Sequence, residues 1–450
     1  MNLKNDSMSD PHQTQDFRSL KDFGSLKVLG AIFVAALLTR LFWIIVLTPN
    51  YQLDGGGDGP LYMLLAKTLV EKGWQYLDTF FGTVAVAPVY TFYLAFFHYF
   101  FPPESVLTAA RVGQAFVDAL SSIAIFDLVQ RIFTRRTAWI AAIVYALDPR
   151  FVVQSGDILT EALFTSLFLI SIWLFVIAHP LPDPRQRSIF KYLIAAASWF
   201  IAAFTRAIVL PLAALFGLMT LLPRPSKRQL IALGLAAVVG LTVLVVRSIQ
   251  LYNSYGRYVI ITSGFEGHFW MGSRSDGQWH GIPEFEKERQ DLQRRYGGRD
   301  AYIEDALNTI AADPLAYARL LFVKLTGAYL QPQGTVSFGN EGESLKDLAL
   351  QVLNKKMSLN DLIQSSGFFP KLIIYIFHYI GLIGGLIGIT LTRRDWLKVL
   401  PLTLPIAYFT IVYTLLTIIP RYLLPIMPLY MIFAAYTVER IHASRFTPHA

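Results

Sequence analysis

Two carboxylates in a glycine-rich turn are the residues of this sequence best suited to chemistry. Asp54 and Asp58 are separated by three glycines, and Pro60 follows. Proline fits the first helical position, so a helix is predicted to begin here. Asp58 then lies at the helix N-terminus, where the dipole favours a negative charge. An anion held in this way suits a base or a metal ligand, and a solvated acidic turn is the plainer alternative.

The helix after this turn is predicted to lie on a membrane surface. Lys67, Glu71 and Lys72 fall off its apolar face, and Gly73 is a typical helix stop. The apolar face at helical spacing comprises Leu61, Tyr62, Leu65, Ala66, Leu69 and Val70.

The composition is that of a polytopic helical membrane protein. The 450 residues are 54% hydrophobic and 16% charged, whereas soluble proteins carry about 25% charged residues. Several apolar runs reach the roughly 20 residues that a helix needs to cross a bilayer. Without cysteine, the chain has no disulfide and no thiolate nucleophile or zinc ligand. The net charge of +8 is assigned to basic cytoplasmic loops rather than to nucleic-acid binding.

The apolar run at 84–101 decides the predicted topology. If it crosses the membrane, the arginines at 135 and 136 lie outside and every later loop changes side. If it only dips into the outer leaflet, five basic loops lie inside, as the positive-inside rule expects. Prolines at both ends of the run also fit a re-entrant element. We therefore expect an all-α protein with about ten transmembrane helices, interfacial helices and both termini in the cytoplasm.

The expected domain organisation follows from these spans. It consists of a cytoplasmic tail at 1–25, a transmembrane catalytic module at 26–249 with an outer loop at 49–104, a small extracytoplasmic domain at 250–370 and C-terminal transmembrane helices at 371–450. The spans are predicted near 26–47, 105–132, 138–150, 162–179, 190–204, 207–222, 229–249, 371–391, 397–418 and 422–438.

This topology brings several ionisable residues to the outer membrane edge. A charge at the bilayer centre costs roughly 2.5–3.5 kcal/mol, so these residues are expected to surround an outward-facing, water-filled pocket. Acids together with arginines favour a metal or base beside a bound phosphate, because arginine clamps phosphate oxygens well. The residues are Asp58, Arg111, Asp157, Glu161, Arg206, Arg247 and Arg421.

Some of these residues have a plainer interpretation. Arg111 and Arg247 also fit anchors whose charged ends reach the lipid headgroups. Glu161 is also consistent with a capping role at its helix N-terminus, where acids are favoured. Asp157 is also consistent with a solvated carboxylate that has no role in a site.

Short motifs through most of the chain resemble the GT-C superfamily of integral-membrane glycosyltransferases, in the style of the protein O-mannosyltransferase and aminoarabinose transferase-like families. Two departures are an alanine after Arg206, where proline is usual, and the glycines between Asp54 and Asp58, where relatives carry adjacent acids. Either acid could therefore be the base, although the spacing from Asp58 to Tyr62 is the better match to the family motif. The motifs are Asp58–Ala66, Pro88–Ala95, Ala110–Gln114, Asp148-Pro149, Thr160–Phe164, Thr205-Arg206, Val246-Arg247, Tyr255–Val259, Asp313–Tyr317 and Arg421–Pro425.

The resemblance implies transfer of a hexose or pentose from a polyprenyl-phosphate donor to an extracytoplasmic glycolipid, glycan or protein, with inversion. Asp58 and Glu161 would be catalytic, with Asp58 accepting the proton of the acceptor hydroxyl or both acids holding a divalent metal such as Mg²⁺ or Mn²⁺. The implied substrate-binding residues are Asp54, Tyr62, Arg111, Arg206, Lys324, Arg421 and Tyr422, with Arg206, Arg421 and Lys324 on the lipid phosphate.

The resemblance also implies a bacterial-type inner membrane protein whose site faces the periplasm or exterior and which serves the cell envelope, through lipopolysaccharide or protein glycosylation. The main alternative is a transporter or flippase for lipid-linked sugars. Transporters tend to show repeats and acids near mid-membrane, whereas this chain has acids at the outer edge and no clear repeat. A non-catalytic partner that binds lipid-linked glycan is a third interpretation.

Overall fold

The computed structural model describes residues 23–53, 58–73, 86–179, 188–222, 225–255, 258–262, 264–274, 300–338, 345–365 and 367–446. Asp54 and most of the predicted cytoplasmic tail lie outside the described residues.

The described residues form helices and connecting turns, without a strand. Five short elements of the described residues lie outside the numbered helices: a π-helical extension of α1 at Phe42–Leu47, and 3₁₀ turns at Ala207–Val209, Thr335–Ser337, Arg393–Asp395 and Leu424–Ile426. The helices are α1 Phe23–Leu41, α2 Asp58–Lys72, α3 Pro88–Phe100, α4 Pro103–Ile132, α5 Arg135–Leu147, α6 Pro149–Ser155, α7 Thr160–Ala178, α8 Ile189–Ala203, α9 Leu210–Met219, α10 Lys227–Tyr255, α11 Phe265–Arg274, α12 Asp300–Ala312, α13 Pro314–Leu330, α14 Leu345–Leu353, α15 Leu359–Gln364, α16 Phe368–Leu391, α17 Trp396–Leu415, α18 Pro420–Leu423 and α19 Met427–Phe446.

Seven helical segments in the described part of the chain are long and apolar enough to cross a membrane. They coincide with seven of the ten predicted spans. The other three predicted spans coincide with α5, α8 and α9, which have 13, 15 and 10 residues. The prediction of an all-α polytopic membrane protein is confirmed.

The ambiguous apolar run forms α3, a helix of 13 residues. At 1.5 Å per residue it is about 20 Å long, whereas a bilayer core is about 30 Å thick. The helix packs on α2, where the rings of Tyr62 and Tyr90 meet edge to face at 5.3 Å. It also packs on α4, since the Tyr93 hydroxyl donates to the Ala110 carbonyl at 2.6 Å. This length agrees with the predicted re-entrant element.

A buried ion pair joins α1 to α4. Arg40 is paired with Asp118, and both are almost fully buried. The other oxygen of Asp118 accepts hydrogen bonds from Tyr145 at 2.6 Å and Ser166 at 3.2 Å. Because an unpaired buried charge is very unfavourable, this network fixes α1, α5 and α7 around the central helix α4.

Close backbone packing joins α16 to α19. Gly385 lies so near α19 that a Cβ there would be 2.7 Å from the Tyr430 carbonyl oxygen. Small residues allow membrane helices to approach in this way. The contact holds α19, and with it the preceding short helix α18 that carries Arg421, against the rest of the bundle.

Candidate functional site

Four charged side chains meet at one end of the helix bundle. Asp58 is the first residue of α2, and Glu161 is the second residue of α7. Arg206 lies in the turn between α8 and α9, and Arg421 is the second residue of α18. Because all four lie at helix ends, their side chains extend beyond the hydrogen-bonded helix interiors. We call these four residues the charge cluster.

Arg421 connects the two acids of the charge cluster. Its Nη2 atom lies 2.7 Å from Oδ2 of Asp58, and its Nε atom lies 3.2 Å from Oε1 of Glu161. Arg206 binds the same oxygen of Glu161 through Nη1 at 2.6 Å. The ion pairs therefore run continuously from Asp58 through Arg421 and Glu161 to Arg206.

The two acids differ in their access to solvent. The Asp58 side chain is 44% exposed, whereas that of Glu161 is 3% exposed. The Arg421 side chain, at 27%, and the Arg206 side chain, at 16%, are intermediate. Asp58 can therefore be reached by a substrate, while Glu161 is enclosed behind the two arginines.

Aromatic rings support both guanidinium groups. The Tyr422 ring lies 5.1 Å from the guanidinium carbon of Arg206 and 5.6 Å from that of Arg421. It stacks on Tyr413 at 5.0 Å, and Arg206 Nη2 donates to the Tyr413 hydroxyl at 3.3 Å. Cation–π contacts of this kind strengthen in desolvated sites, so the rings hold the guanidinium groups in place.

Thr160 orients the buried acid from the preceding residue. Its hydroxyl donates to Oε2 of Glu161 at 3.0 Å and accepts from Arg206 Nη1 at 3.3 Å. It also hydrogen-bonds to Tyr62, a buried residue of α2. Burial raises the pKa of Tyr62, and the nearby charges of Glu161 and Asp58 raise it further. Tyr62 is therefore a neutral hydroxyl beside the charge cluster.

Arg111 lies beside the charge cluster but binds the backbone. It is fully buried and donates to the Gly156 carbonyl at 2.7 Å and to the Thr48 carbonyl at 3.0 Å. Its guanidinium carbon lies 4.3 Å from the centre of the Tyr51 ring. The interpretation of Arg111 as a lipid-headgroup anchor is wrong, because the side chain is enclosed between the loops after α1 and α6.

Asp157 is half-buried in the loop before α7. Burial raises the pKa of its carboxyl to about 7, although the neighbouring Arg111 opposes this rise. Its backbone carbonyl accepts a hydrogen bond from Gln114 at 2.8 Å. The interpretation of Asp157 as a merely solvated acid is therefore wrong.

Lys324 does not meet the charge cluster. This residue of α13 is 1% exposed, and its Nζ donates to the carbonyls of Gly272 at 2.8 Å and Leu416 at 2.6 Å. Burial lowers the pKa of its ammonium to about 8. Lys324 therefore binds backbone carbonyls, whereas the resemblance implied that it binds the lipid phosphate.

Sequence reasoning missed three neighbours of the charge cluster. Thr160 has a local signal, since it directly precedes Glu161. Tyr413 has none, because it reaches the cluster from the end of α17. His268 was not among the candidate site residues, yet it lies half-buried near Arg206 and Asp58. Burial lowers its pKa, Arg206 lowers it further, and Asp58 opposes that change.

The described residues do not by themselves form a metal site. Among them, no three His, Asp or Glu side chains lie close enough together to hold an ion. Asp58 and Glu161 both face Arg421, whose charge opposes a cation between them. Asp54, the other candidate acid of this turn, lies outside the described residues.

Comparisons with known proteins bear on the family and the fold of this chain. Residues 85–252 match the model of a family described as dolichyl-phosphate-mannose-protein mannosyltransferase. No curated protein matches the chain in sequence.

Among solved structures, the fold is similar to the oligosaccharyltransferase of Archaeoglobus fulgidus in its apo form. The TM-score is 0.52 at 14% identity, over 94% of this chain and 52% of that one. A second structure of the archaeal protein, with an inhibitory peptide and a dolichol-phosphate, gives a TM-score of 0.44 at 14% identity, over 95% and 53% of the two chains. This chain thus spans about half the length of the structures that it matches.

These comparisons confirm the resemblance to GT-C glycosyltransferases. The matching family and the solved neighbour are glycosyltransferases, one a mannosyltransferase and the other an oligosaccharyltransferase. The helices and the fold together describe a multi-pass membrane protein with a GT-C fold.

Proposed function

We propose that this protein is a glycosyltransferase that transfers a sugar from a polyprenyl-phosphate donor to an acceptor hydroxyl, with inversion at the anomeric carbon. The observation that carries the proposal is the charge cluster, in which an exposed acid, Asp58, lies beside two arginines held by a buried acid. A base next to a phosphate clamp is the arrangement that this transfer needs.

The two arginines retain donors for a phosphate. Arg421 faces Glu161 through Nε and binds Asp58 through Nη2, and among the described residues no ion pair or hydrogen bond uses its Nη1. Arg206 engages its protein partners through Nη1 and Nη2. Because a guanidinium has five N–H donors in a rigid fork, both residues can bind phosphate oxygens without releasing their acids.

Asp58 is the better of the two described acids for the proton transfer. Its greater exposure allows an acceptor hydroxyl to approach, which Glu161 does not permit. In the proposed step, the acceptor oxygen bonds to the anomeric carbon and its proton passes to Asp58. The bond from that carbon to the phosphate oxygen breaks at the same time, and the lipid phosphate leaves with the electron pair.

Glu161 would act through the arginines in this mechanism. Its Oε1 atom lies close to both Arg206 and Arg421, so it fixes the distance between their guanidinium groups. Charges fixed in advance stabilise a developing phosphate charge without reorganisation during the reaction. Tyr62 and Tyr422 would then line the sugar-binding side of the cluster.

No step of the proposed mechanism is routed through a divalent metal such as Mg²⁺ or Mn²⁺. Each described acid of the cluster already has an arginine partner, and no third carboxylate or histidine completes a ligand set among the described residues. The two guanidinium groups supply the positive charge that a metal would otherwise bring to the phosphate.

The proposed orientation places the charge cluster outside the cytoplasm. Basic side chains lie at the start of α5 and near the end of α19, where Arg136 approaches His442 to 3.3 Å. Lysine and arginine concentrate on the cytoplasmic side of membrane proteins. This supports a bacterial-type inner membrane protein with its site facing the periplasm or exterior and with an acceptor from the cell envelope.

Product analysis in proteoliposomes separates the proposed transfer from lipid transport. A transferase yields a new glycosidic bond and free polyprenyl phosphate, which mass spectrometry detects. A flippase, the transporter alternative, moves the intact donor between leaflets, and a non-catalytic partner binds it without change. Intact donor after incubation with glycolipid, glycan and protein acceptors would reject the proposal.

A further inference from the structure

Lys324 joins two backbone segments that are distant in sequence. Its ammonium donates to the Gly272 carbonyl at 2.8 Å on α11 and to the Leu416 carbonyl at 2.6 Å just after α17. We propose that Lys324 is a positioning residue that holds α11 over the charge cluster. The proposed effect on catalysis rests on the glycosyltransferase function proposed above, whereas the docking of α11 does not.

The backbone contact at this junction leaves no space for a side chain. A Cβ at Gly272 would overlap the Leu416 carbonyl oxygen and lie 2.6 Å from its carbonyl carbon. Gly267, on the same helix, has nothing within 4 Å of the corresponding position. The junction is therefore a specific close approach at Gly272 rather than a general property of α11.

The junction directs α11 toward the charge cluster. The Thr417 hydroxyl donates to the His268 carbonyl at 3.2 Å, one helical turn before Gly272. The half-buried ring of His268 lies close enough to Arg206 and Asp58 for their charges to alter its pKa. Since Arg421 follows Leu416 by five residues, one short segment carries both the junction and a member of the cluster.

A second set of contacts ties α11 to α12. The Trp270 indole donates to Asp305 at 2.7 Å, and Arg274 is paired with the same carboxylate. Trp270 is fully buried beside Tyr302. The two helices are thus one packed unit, and the Lys324 junction fixes the α11 side of it to the transmembrane helices.

This placement predicts that Lys324 affects the acceptor rather than the lipid phosphate. Two of its N–H donors are directed to carbonyls. His268 of α11 lies close enough to Asp58 for the carboxylate to alter the His268 pKa, so the proposal puts α11 on the acceptor side of the cluster. Loss of the junction should raise the KM for the acceptor and lower kcat. The affinity for polyprenyl phosphate should stay unchanged, because Arg206 and Arg421 are untouched.

The test compares Lys324→Met and Gly272→Ala with Gly267→Ala as the matched control. In the purified full-length protein, amide hydrogen exchange of 265–274 should rise about tenfold in the first two variants, since two hydrogen bonds or the close approach are lost. Exchange in the control should match wild type. Binding of polyprenyl phosphate should stay within about twofold in all three variants.

Two results would overturn the proposal. One is unchanged exchange of α11 in both Lys324→Met and Gly272→Ala. The other is loss of polyprenyl-phosphate binding in Lys324→Met alone, which would make Lys324 a phosphate ligand. Should Lys324→Met fail to fold, Gly272→Ala decides by the same exchange measurement. If wild-type protein shows no sugar transfer, the proposed function fails, while exchange still decides the docking of α11.

Discussion

Arg421 Nη2 lies 2.7 Å from Oδ2 of Asp58, across 363 residues of sequence. The contact joins the start of α2 to the start of α18, and Glu161 lies on the other side of the same guanidinium. One arginine therefore sets the distance between an accessible acid and a buried acid. The predictions below follow from this arrangement.

Replacing Arg421 with methionine should lower turnover by about 100-fold or more, because one charged group on the leaving phosphate and the partner of Asp58 are lost together. Methionine keeps a long apolar side chain against Tyr422. The measurement is kcat with a polyprenyl-phosphate-sugar donor in proteoliposomes.

Arg440→Met is the matched control for this change. Arg440 lies at the other end of α19 and contacts the Tyr436 ring at 5.9 Å, in the same kind of cation–π pair. It should retain near wild-type turnover. Equal losses in the two variants would contradict a role for Arg421 in the site.

Glu161→Gln should lower the free energy of unfolding by roughly 3–5 kcal/mol, because the variant removes the buried member of the ion pair and leaves the largely enclosed charge of Arg206 without its partner. Asp58→Asn should lower it by about 1 kcal/mol or less, since Asp58 is 44% exposed and exposed pairs contribute little. Thermal unfolding in detergent measures both. Similar losses of unfolding free energy in the two variants would contradict a larger contribution of the buried acid to stability.

The contribution of Asp157 to the stability of the wild type should fall as pH rises from about 4 to about 7. Burial raises the pKa of Asp157 to about 7, so the folded protein retains a proton that the unfolded chain has already lost. The stabilisation is complete below the ordinary pKa near 4 and disappears through pH 7. Asp157→Asn should remove this component of the pH dependence. An identical slope in wild type and variant would exclude Asp157 as its source.

Tyr422→Leu should lower turnover by about tenfold, because the ring contacts both guanidinium groups and desolvated cation–π pairs contribute up to about 2 kcal/mol. Tyr422→Phe keeps the ring and should stay within about twofold of wild type. Comparison of kcat for the two variants separates the ring from its hydroxyl. A loss in Tyr422→Phe as large as that in Tyr422→Leu would assign the effect to the hydroxyl.

The sequence predicted the seven long apolar helices of the described residues, because hydropathy is a local signal. Asp58, Glu161, Arg206 and Arg421 were predicted from their common position at the outer membrane edge, and the structure brings all four together. Lys324 was predicted on the lipid phosphate, and its place at two carbonyls depends on how α11 meets α17. No local pattern encodes that tertiary contact.

The buried polar residues of the bundle were also beyond sequence reasoning. Asp118 and Arg40 lie within predicted spans, and nothing in their spacing shows that they are partners. Tyr413 contacts Arg206 only because α17 ends beside the turn before α9. Such contacts come from helix packing, which hydrophobic periodicity does not determine.

The central claim is that Asp58 accepts the proton of the acceptor during sugar transfer. The most direct test is kcat for purified Asp58→Asn, with Glu71→Gln, an exposed acid at the other end of α2 that pairs with Lys67, as the matched control. Asp58→Asn should bind polyprenyl phosphate and unfold near the wild-type temperature, yet lose turnover by about 100-fold or more. Glu71→Gln should remain near wild type. A folded Asp58→Asn variant with near-normal turnover would contradict the account.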